Sequence, residues 1–256
     1  MSDYILETKD LCKDFIGLRA IDSLNLAVKK GDVHGLIGPN GSGKSTFFNV
    51  VSGVLSATSG KVFFDSVDVT ESKPHIIARM GMCRTFQAGK LAPNLSVLEN
   101  VMTGAHSHTK NDIAGTFLRA PFITSRQEKR IKKAALEYLD LAGLKDRADN
   151  FAGDLVWVER QLVQIARAMS AEPKLLLMDE PTGGMGSEES AKVDKIIKKI
   201  RDELGTTIIV VAHDMNLVIG ISDRVTCINF GKKICEGTPE QIQKDPDVLE
   251  AYLGKE

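Results

Sequence analysis

The run Gly38-Pro39-Asn40-Gly41-Ser42-Gly43-Lys44-Ser45 follows the strand-like segment Val33–Ile37 and precedes the helix-compatible segment Thr46–Val51. It fits G-x-x-x-x-G-K-[ST] in the strand-to-helix context that the motif requires, and this context constrains the fold more than any other feature of the chain. Small residues let backbone N–H groups converge on phosphate oxygens, and the following helix presents its positive end to them. Lys44 is placed to reach the outer phosphates, and the Ser45 hydroxyl to ligate Mg²⁺. Gly38 through Thr46 are therefore the expected nucleotide-binding residues. A glycine-rich turn without phosphate chemistry is the competing reading, and the flanking strand and helix weigh against it.

Further strand-like runs lie near Leu24–Val28, Lys61–Phe64, Leu175–Met178, Thr207–Ala212 and Val225–Asn229, separated by longer segments of which several have helical spacing. This alternation predicts an α/β fold. Between Gln127 and Ala142, Ile131, Ala134, Ala135, Tyr138, Leu139 and Ala142 form one apolar stripe, which leaves Lys129, Arg130, Lys132 and Lys133 on a solvated face. A second stripe, Val158, Leu162, Ile165, Ala166 and Met169, ends before Glu172-Pro173 and feeds the apolar run at Leu175. With no internal repeat and no low-complexity linker, a second lobe is expected as an insertion, centred on the helical stretch from about Ala88 to Ala152.

Composition narrows the functional classes. The 256 residues are 43% hydrophobic and 26% charged, with 33 Lys+Arg against 34 Asp+Glu, which excludes collagen-like, disordered and supercharged chains. A net charge of -1 gives no global footprint for nucleic acid. Cys12, Cys83, Cys227 and Cys235 show neither metal-ligand spacing nor a disulfide framework, which points to the cell interior. The start of the chain, with Asp3, Glu7 and Asp10 against Lys9, does not read as a secretory signal. The apolar stretches are far shorter than the ~20 residues that span a bilayer, so a partner is expected to supply any membrane span.

Leu175-Leu176-Leu177-Met178-Asp179-Glu180 reads as a buried central strand that delivers two acids to the C-terminal edge of a sheet. Asp179 would support Mg²⁺ and Glu180 would polarise an attacking water. Strands also end in acids at solvated turns, and the phosphate loop is what favours chemistry here. His213, after Thr207–Ala212, is placed to contact a γ-phosphate or simply to cap its strand. Gln87 could orient water or metal, or be an ordinary loop amide.

The order of phosphate loop, Gln87, a helix starting near Val158, Asp179-Glu180 and His213 resembles the ATP-binding cassette family over nearly the whole chain. The resemblance implies an α/β P-loop core with a mixed sheet, an antiparallel β portion and a helical subdomain at roughly 88–170, all within one cassette spanning 1–256. It implies ATP and Mg²⁺ as cofactors, Lys44, Gln87, Glu180 and His213 as catalytic residues, and Ser45, Gln87 and Asp179 as the metal residues. It also makes Phe15 the aromatic that stacks on adenine; on sequence alone, Phe15 reads equally as an early-strand core residue. Leu118-Arg119-Ala120-Pro121 with the basic helix after it, and the tail segments Glu236–Glu240 and Glu250–Gly254, are similar to the ATPase subunits of branched-chain amino-acid importers. The partners implied are membrane-spanning permeases and a second ATPase subunit, at the cytoplasmic face of the membrane. A regulatory cassette protein with weak or no ATPase activity is the alternative.

The sequence departs from the family at two places. Where the family carries a signature resembling Leu-Ser-Gly-Gly-Gln, the chain reads Leu155-Val156-Trp157-Val158-Glu159. That segment of the family faces the γ-phosphate held by the opposite subunit, where a hydroxyl and a close backbone approach are needed. Val156, Trp157 and Val158 supply neither, and Glu159 adds a negative charge. Gly186 also stands where the family usually carries a polar residue in its subunit-contacting loop. The first departure predicts either pairing with a distinct ATPase chain that bears an intact signature or a chain altered at this segment and nearly inactive, and the second bears on communication between subunits.

Overall fold

The computed structural model describes residues 2–85, 91–105, 121–212 and 215–253. The chain folds as two compact units, Met1–Arg84 with Lys174–Glu256, and Thr85–Pro173.

In the first unit an antiparallel sheet of order β2-β1-β4-β5 is built from β1 (Tyr4–Phe15), β2 (Leu18–Lys29), β4 (Ser59–Phe64) and β5 (Val67–Asp68). A second, mixed sheet of order β10-β9-β3-β8-β7-β6 contains β3 (Val33–Ile37), β6 (Met82–Arg84), β7 (Leu175–Asp179), β8 (Thr207–Val211), β9 (Arg224–Asn229) and β10 (Lys232–Gly237). Strands β3, β7 and β8 are buried at every position, as expected of parallel strands covered on both faces. The mixed sheet and the antiparallel portion agree with the expected architecture.

Register decides where chemistry can gather. Leu36 pairs with Val211 and Asp179 pairs with the same Val211, so the ends of β3, β8 and β7 stand side by side at one sheet edge. The loop Gly38–Gly43, the Asp179-Glu180 pair and Ala212 after β8 all leave from that edge, the usual ligand-binding end of an open α/β sheet. Helix α1 (Lys44–Val51) buries Phe47, Phe48, Val50 and Val51 in one cluster with Leu6, Leu24 and Leu26 of the antiparallel sheet and Leu36, Leu177 and Ile209 of the mixed sheet. Packing of α1 against both sheets holds the loop that precedes it.

His34 lies wholly buried in β3, with Nε2 2.8 Å from Thr226 Oγ1 and Nδ1 without a hydrogen-bond partner. Burial disfavours the charged ring and depresses its pKa to about 4. Because the folded pKa lies below the unfolded one, the penalty is absent at neutral pH and grows as pH falls toward 4. Urea unfolding should therefore lose about 3 kcal/mol of stability between pH 7 and 4 from this residue. His34→Gln run in parallel should flatten the curve by that amount, and an identical pH dependence in both proteins would remove His34 as its cause.

The second unit contains α3 (Val97–Gly104), α4 (Pro121–Leu141) and α5 (Trp157–Met169); α2 (Pro74–Met80), α6 (Ser187–Leu204) and α7 (Met215–Ile221) belong to the first. Ser96 caps α3 in a reciprocal box, its Oγ accepting from Glu99 N–H (3.1 Å) while Glu99 Oε2 accepts from Ser96 N–H (2.7 Å). On α4, Ala135 and Leu139 are buried while Lys129, Arg130, Lys132 and Lys133 are exposed, so the basic run is the solvated face of an amphipathic helix. Gly104 lets α3 approach the end of α5: a Cβ there would run into the Arg167 carbonyl and the Ser170 hydroxyl.

Candidate functional site

At two of its three positive-φ glycines the phosphate loop leaves no room for a side chain. Gly38 has φ +152°, and a Cβ there would collide with the Ile228 carbonyl oxygen and lie 2.7 Å from Ser42 Oγ. Gly43, at φ +106°, caps α1 in the left-handed region, and its Cβ would lie 2.5 Å from the Ala20 carbonyl oxygen. The first intrahelical bond of α1 runs from Phe47 N–H to the Gly43 carbonyl (2.8 Å). The amides of Lys44, Ser45 and Thr46 thus form the helix start that an anion would meet.

Lys44 is buried beneath the loop, its ammonium donating to the carbonyls of Gly38 (2.6 Å) and Pro39 (2.8 Å) and to Ser42 Oγ (3.3 Å). Burial lowers its pKa, opposed by the carboxylates of Glu180 and Asp179 nearby. All three contacts are made to the loop itself, so a phosphate would take the place of the loop's own carbonyls at Nζ.

Above the loop a cleft of about 330 Å³ is lined by Phe15, Leu18, Arg19 and Ala20, by Asn40 through Thr46, and by Glu180 and Phe230. Phe15, the last residue of β1, is 44% exposed, so it is a wall of the cleft rather than part of the core. Lys13 Nζ sits 5.2 Å from the centre of its ring.

The two acids after β7 differ in surroundings. Asp179 is 4% exposed; its Oδ2 accepts from Arg84 Nη2 at 2.7 Å, while Oδ1 has no hydrogen-bond partner. Arg84 in turn donates through Nη1 to Asn49 Oδ1 of α1 (2.6 Å) and lies 5.5 Å from the Phe48 ring centre. Glu180 is partly exposed on the cleft wall and sits at φ +50°, a costly conformation for a residue with a Cβ. Its N–H donates to the Val211 carbonyl (2.8 Å), which pins the backbone at the end of β8.

The residues present fit Mg²⁺. Among the described residues no group of three or more His, Cys, Asp or Glu side chains could hold a metal on its own. An exposed Ser45 at the loop and an orphaned, buried Asp179 oxygen are present instead. That donor set suits a cation that keeps waters and takes its remaining ligands from nucleotide phosphates. Gln87 and His213 lie outside the described residues, as do Leu118, Arg119 and Ala120.

Sequence reasoning missed Arg84, Phe230 and the wall Leu18–Ala20. The only signal for Arg84 was a charge in the short run Gly81-Met82-Cys83-Arg84 before Gln87, and for Phe230 an aromatic at the Asn229-Phe230-Gly231 turn.

The profile of the ABC transporter family matches residues 21–183, and that of the branched-chain amino acid ATP-binding cassette transporter matches residues 232–256. The chain is 38% identical over 256 residues to the high-affinity branched-chain amino acid transport ATP-binding protein BraF of Pseudomonas aeruginosa, covering 100% of both chains. A crystal structure of an ATP-binding cassette of an ABC transporter in its ADP conformation superposes with a TM-score of 0.86 at 31% identity, over 99% of this chain and 100% of that one. A dimeric cassette in a post-hydrolysis state bound to ADP and Pi matches with a TM-score of 0.76 at 27% identity, over 91% and 98% of the two chains.

Proposed function

The chain belongs to the ABC transporter family, and from that premise we propose that it is the ATP-hydrolysing subunit of an importer for branched-chain or related amino acids, bound to membrane-spanning permeases at the cytoplasmic face of the membrane. The observation that carries the reading is the convergence of Lys44, Ser45, Phe15 and Glu180 on one cleft in a chain similar from end to end to an amino-acid transport ATP-binding protein. Among the described residues no helix is long and apolar enough to cross a membrane, which is consistent with a permease supplying the span.

Each residue has a role in this reading. Phe15 covers the adenine face, the loop amides from Gly38 to Thr46 cradle the phosphates, and Lys44 exchanges the Gly38 and Pro39 carbonyls for phosphate oxygens. Ser45 and Asp179 would hold Mg²⁺, which supplies charge neutralisation at the phosphates. Glu180 accepts a proton from the attacking water, and the family resemblance alone assigns catalytic roles to Gln87 and His213.

Calorimetric titration with Mg-ATP tests the core of this reading. Lys44→Ala should weaken binding roughly tenfold or more, because it removes a charge-assisted donor to phosphate. Equal affinity in both proteins would sink the phosphate-loop assignment. Copurification from detergent-solubilised membranes should bring down a permease, and its absence there would point to the regulatory alternative.

A further inference from the structure

The C-terminal segment is built to be compact. Thr238 and Gln241 cap α8 (Pro239–Gln243) reciprocally, Thr238 N–H donating to Gln241 Oε1 (2.8 Å). Asp245 caps α9 (Pro246–Leu253), its Oδ1 accepting from the N–H groups of Asp247 (2.9 Å) and Val248 (3.3 Å). Ile242 and Val248 are fully buried, which anchors the tail to the first unit.

From α9 the Tyr252 hydroxyl accepts from the Gly38 N–H at 2.9 Å. Burial pushes the phenol up to about 12 against the pull of that hydrogen bond, so the hydroxyl is neutral at physiological pH. Gly38 is held through its N–H by Tyr252 and through its carbonyl by Lys44 (2.6 Å), and a Cβ there would collide with the Ile228 carbonyl oxygen. Beside this contact lies a cavity of about 460 Å³ between the loop residues Pro39–Ser42, Phe230 and Ile234, and Asp247, Glu250 and Ala251 near the chain end. The Tyr252 hydroxyl is thus a polar tie between the tail and the loop, and it stands beside this cavity.

We propose that Tyr252 is a positioning residue for the phosphate loop, and that docking of the C-terminal helix is linked to nucleotide occupancy through Gly38. The inference rests on the nucleotide-binding reading of the loop. A phosphate that draws Lys44 away from the Gly38 carbonyl acts on one side of the residue whose other side Tyr252 holds. Linkage is reciprocal, so a tail that favours nucleotide binding must itself be favoured by nucleotide.

Tyr252→Phe in the full chain removes only the hydroxyl and keeps the ring packing. Mg-ADP binding, read by calorimetry, should weaken about fivefold or more. Hydrogen exchange supplies the readout that a merely structural role would not move. In the parent, Mg-ADP should raise protection over residues 246–253, and in Tyr252→Phe that response should disappear. Affinity within about twofold of the parent, or a tail that loses the same protection with and without nucleotide, overturns the proposal. A parent that binds no Mg-ADP would instead overturn the phosphate-loop reading and the link with it.

Discussion

Glu180→Gln, in the assembled transporter, is expected to keep Mg-ATP and to lose turnover by about 10²-fold or more. The two acids at the end of β7 could on spacing alone exchange roles, and their surroundings separate them. Asp179 is buried with one oxygen on the Arg84 guanidinium, so it is poorly placed to take a proton from a water in the cleft. Glu180 lies on the cleft wall with its backbone fixed by the Val211 carbonyl. It is held at φ +50°, a strain of order 1–3 kcal/mol that the surrounding structure must offset, and such strain gathers where a side chain has to be aimed. Gln preserves the shape of Glu and its hydrogen-bonding reach, so folding and nucleotide binding should be spared while proton acceptance is lost. ATP retention and phosphate release measured on the same sample separate binding from chemistry. Turnover within about twofold of the parent would exclude Glu180 as the base.

The contrast between these acids shows what the sequence carries and what it does not. The phosphate loop was legible because its chemistry is local: a strand, small residues at fixed spacing, Lys44, Ser45 and a helix. Asp179-Glu180 was legible as a pair, but the division of labour depends on Arg84, nearly a hundred positions away in the chain and adjacent only because β6 pairs with β7. The long strands β1 and β2 were largely hidden. Their pairing shifts register between Thr8 and Leu11, Leu11 and Lys13, and Lys13 and Asp14, and each irregularity breaks the two-residue alternation by which a strand is recognised. Only the regular part of β2, Leu24–Val28, stood out. Phe15 could be placed on a cleft wall rather than in the core only once β1 was seen to end there. Tyr252 sits in a tail whose likeness to importer ATPases says nothing of its hydrogen bond to Gly38.

The second large effect is expected at the start of α5. In a head-to-tail cassette pair, each site joins the phosphate loop of one chain to the signature of the other, so this chain would keep a sound loop and offer its partner a poor signature. Val156, at the N-cap, is 60% exposed and Trp157 39% exposed, while Val158 is buried at 6%. No side-chain oxygen of residue 156 caps the helix; Glu159 Oε2 instead accepts from Val156 N–H (3.2 Å), and Glu159 Oε1 lies 3.5 Å from Arg147 Nε. The Glu159 carboxylate is therefore engaged by its own helix start and by an arginine, which reduces the charge it would present to a phosphate. What is still missing is the hydroxyl and the close backbone approach that small residues at 157 and 158 would give. Losing a preorganised donor to transition-state charge typically costs about 10²–10³ in rate, so the purified chain alone should hydrolyse ATP that much more slowly than a complex with a distinct ATPase chain bearing an intact signature. Replacing all three residues with Ser-Gly-Gly would remove the buried Val158 side chain and confound activity with stability. Val156→Ser is the cleaner test, because Ser-x-x-Glu completes a reciprocal cap on a helix whose Glu159 is already in position. It should raise stability by about 1 kcal/mol, and it should raise the rate of the isolated chain roughly tenfold or more by returning one donor. Brisk, cooperative ATPase activity in the parent chain alone, unchanged in Val156→Ser, would mean that two identical copies already form competent sites, and pairing with a distinct ATPase would have no basis.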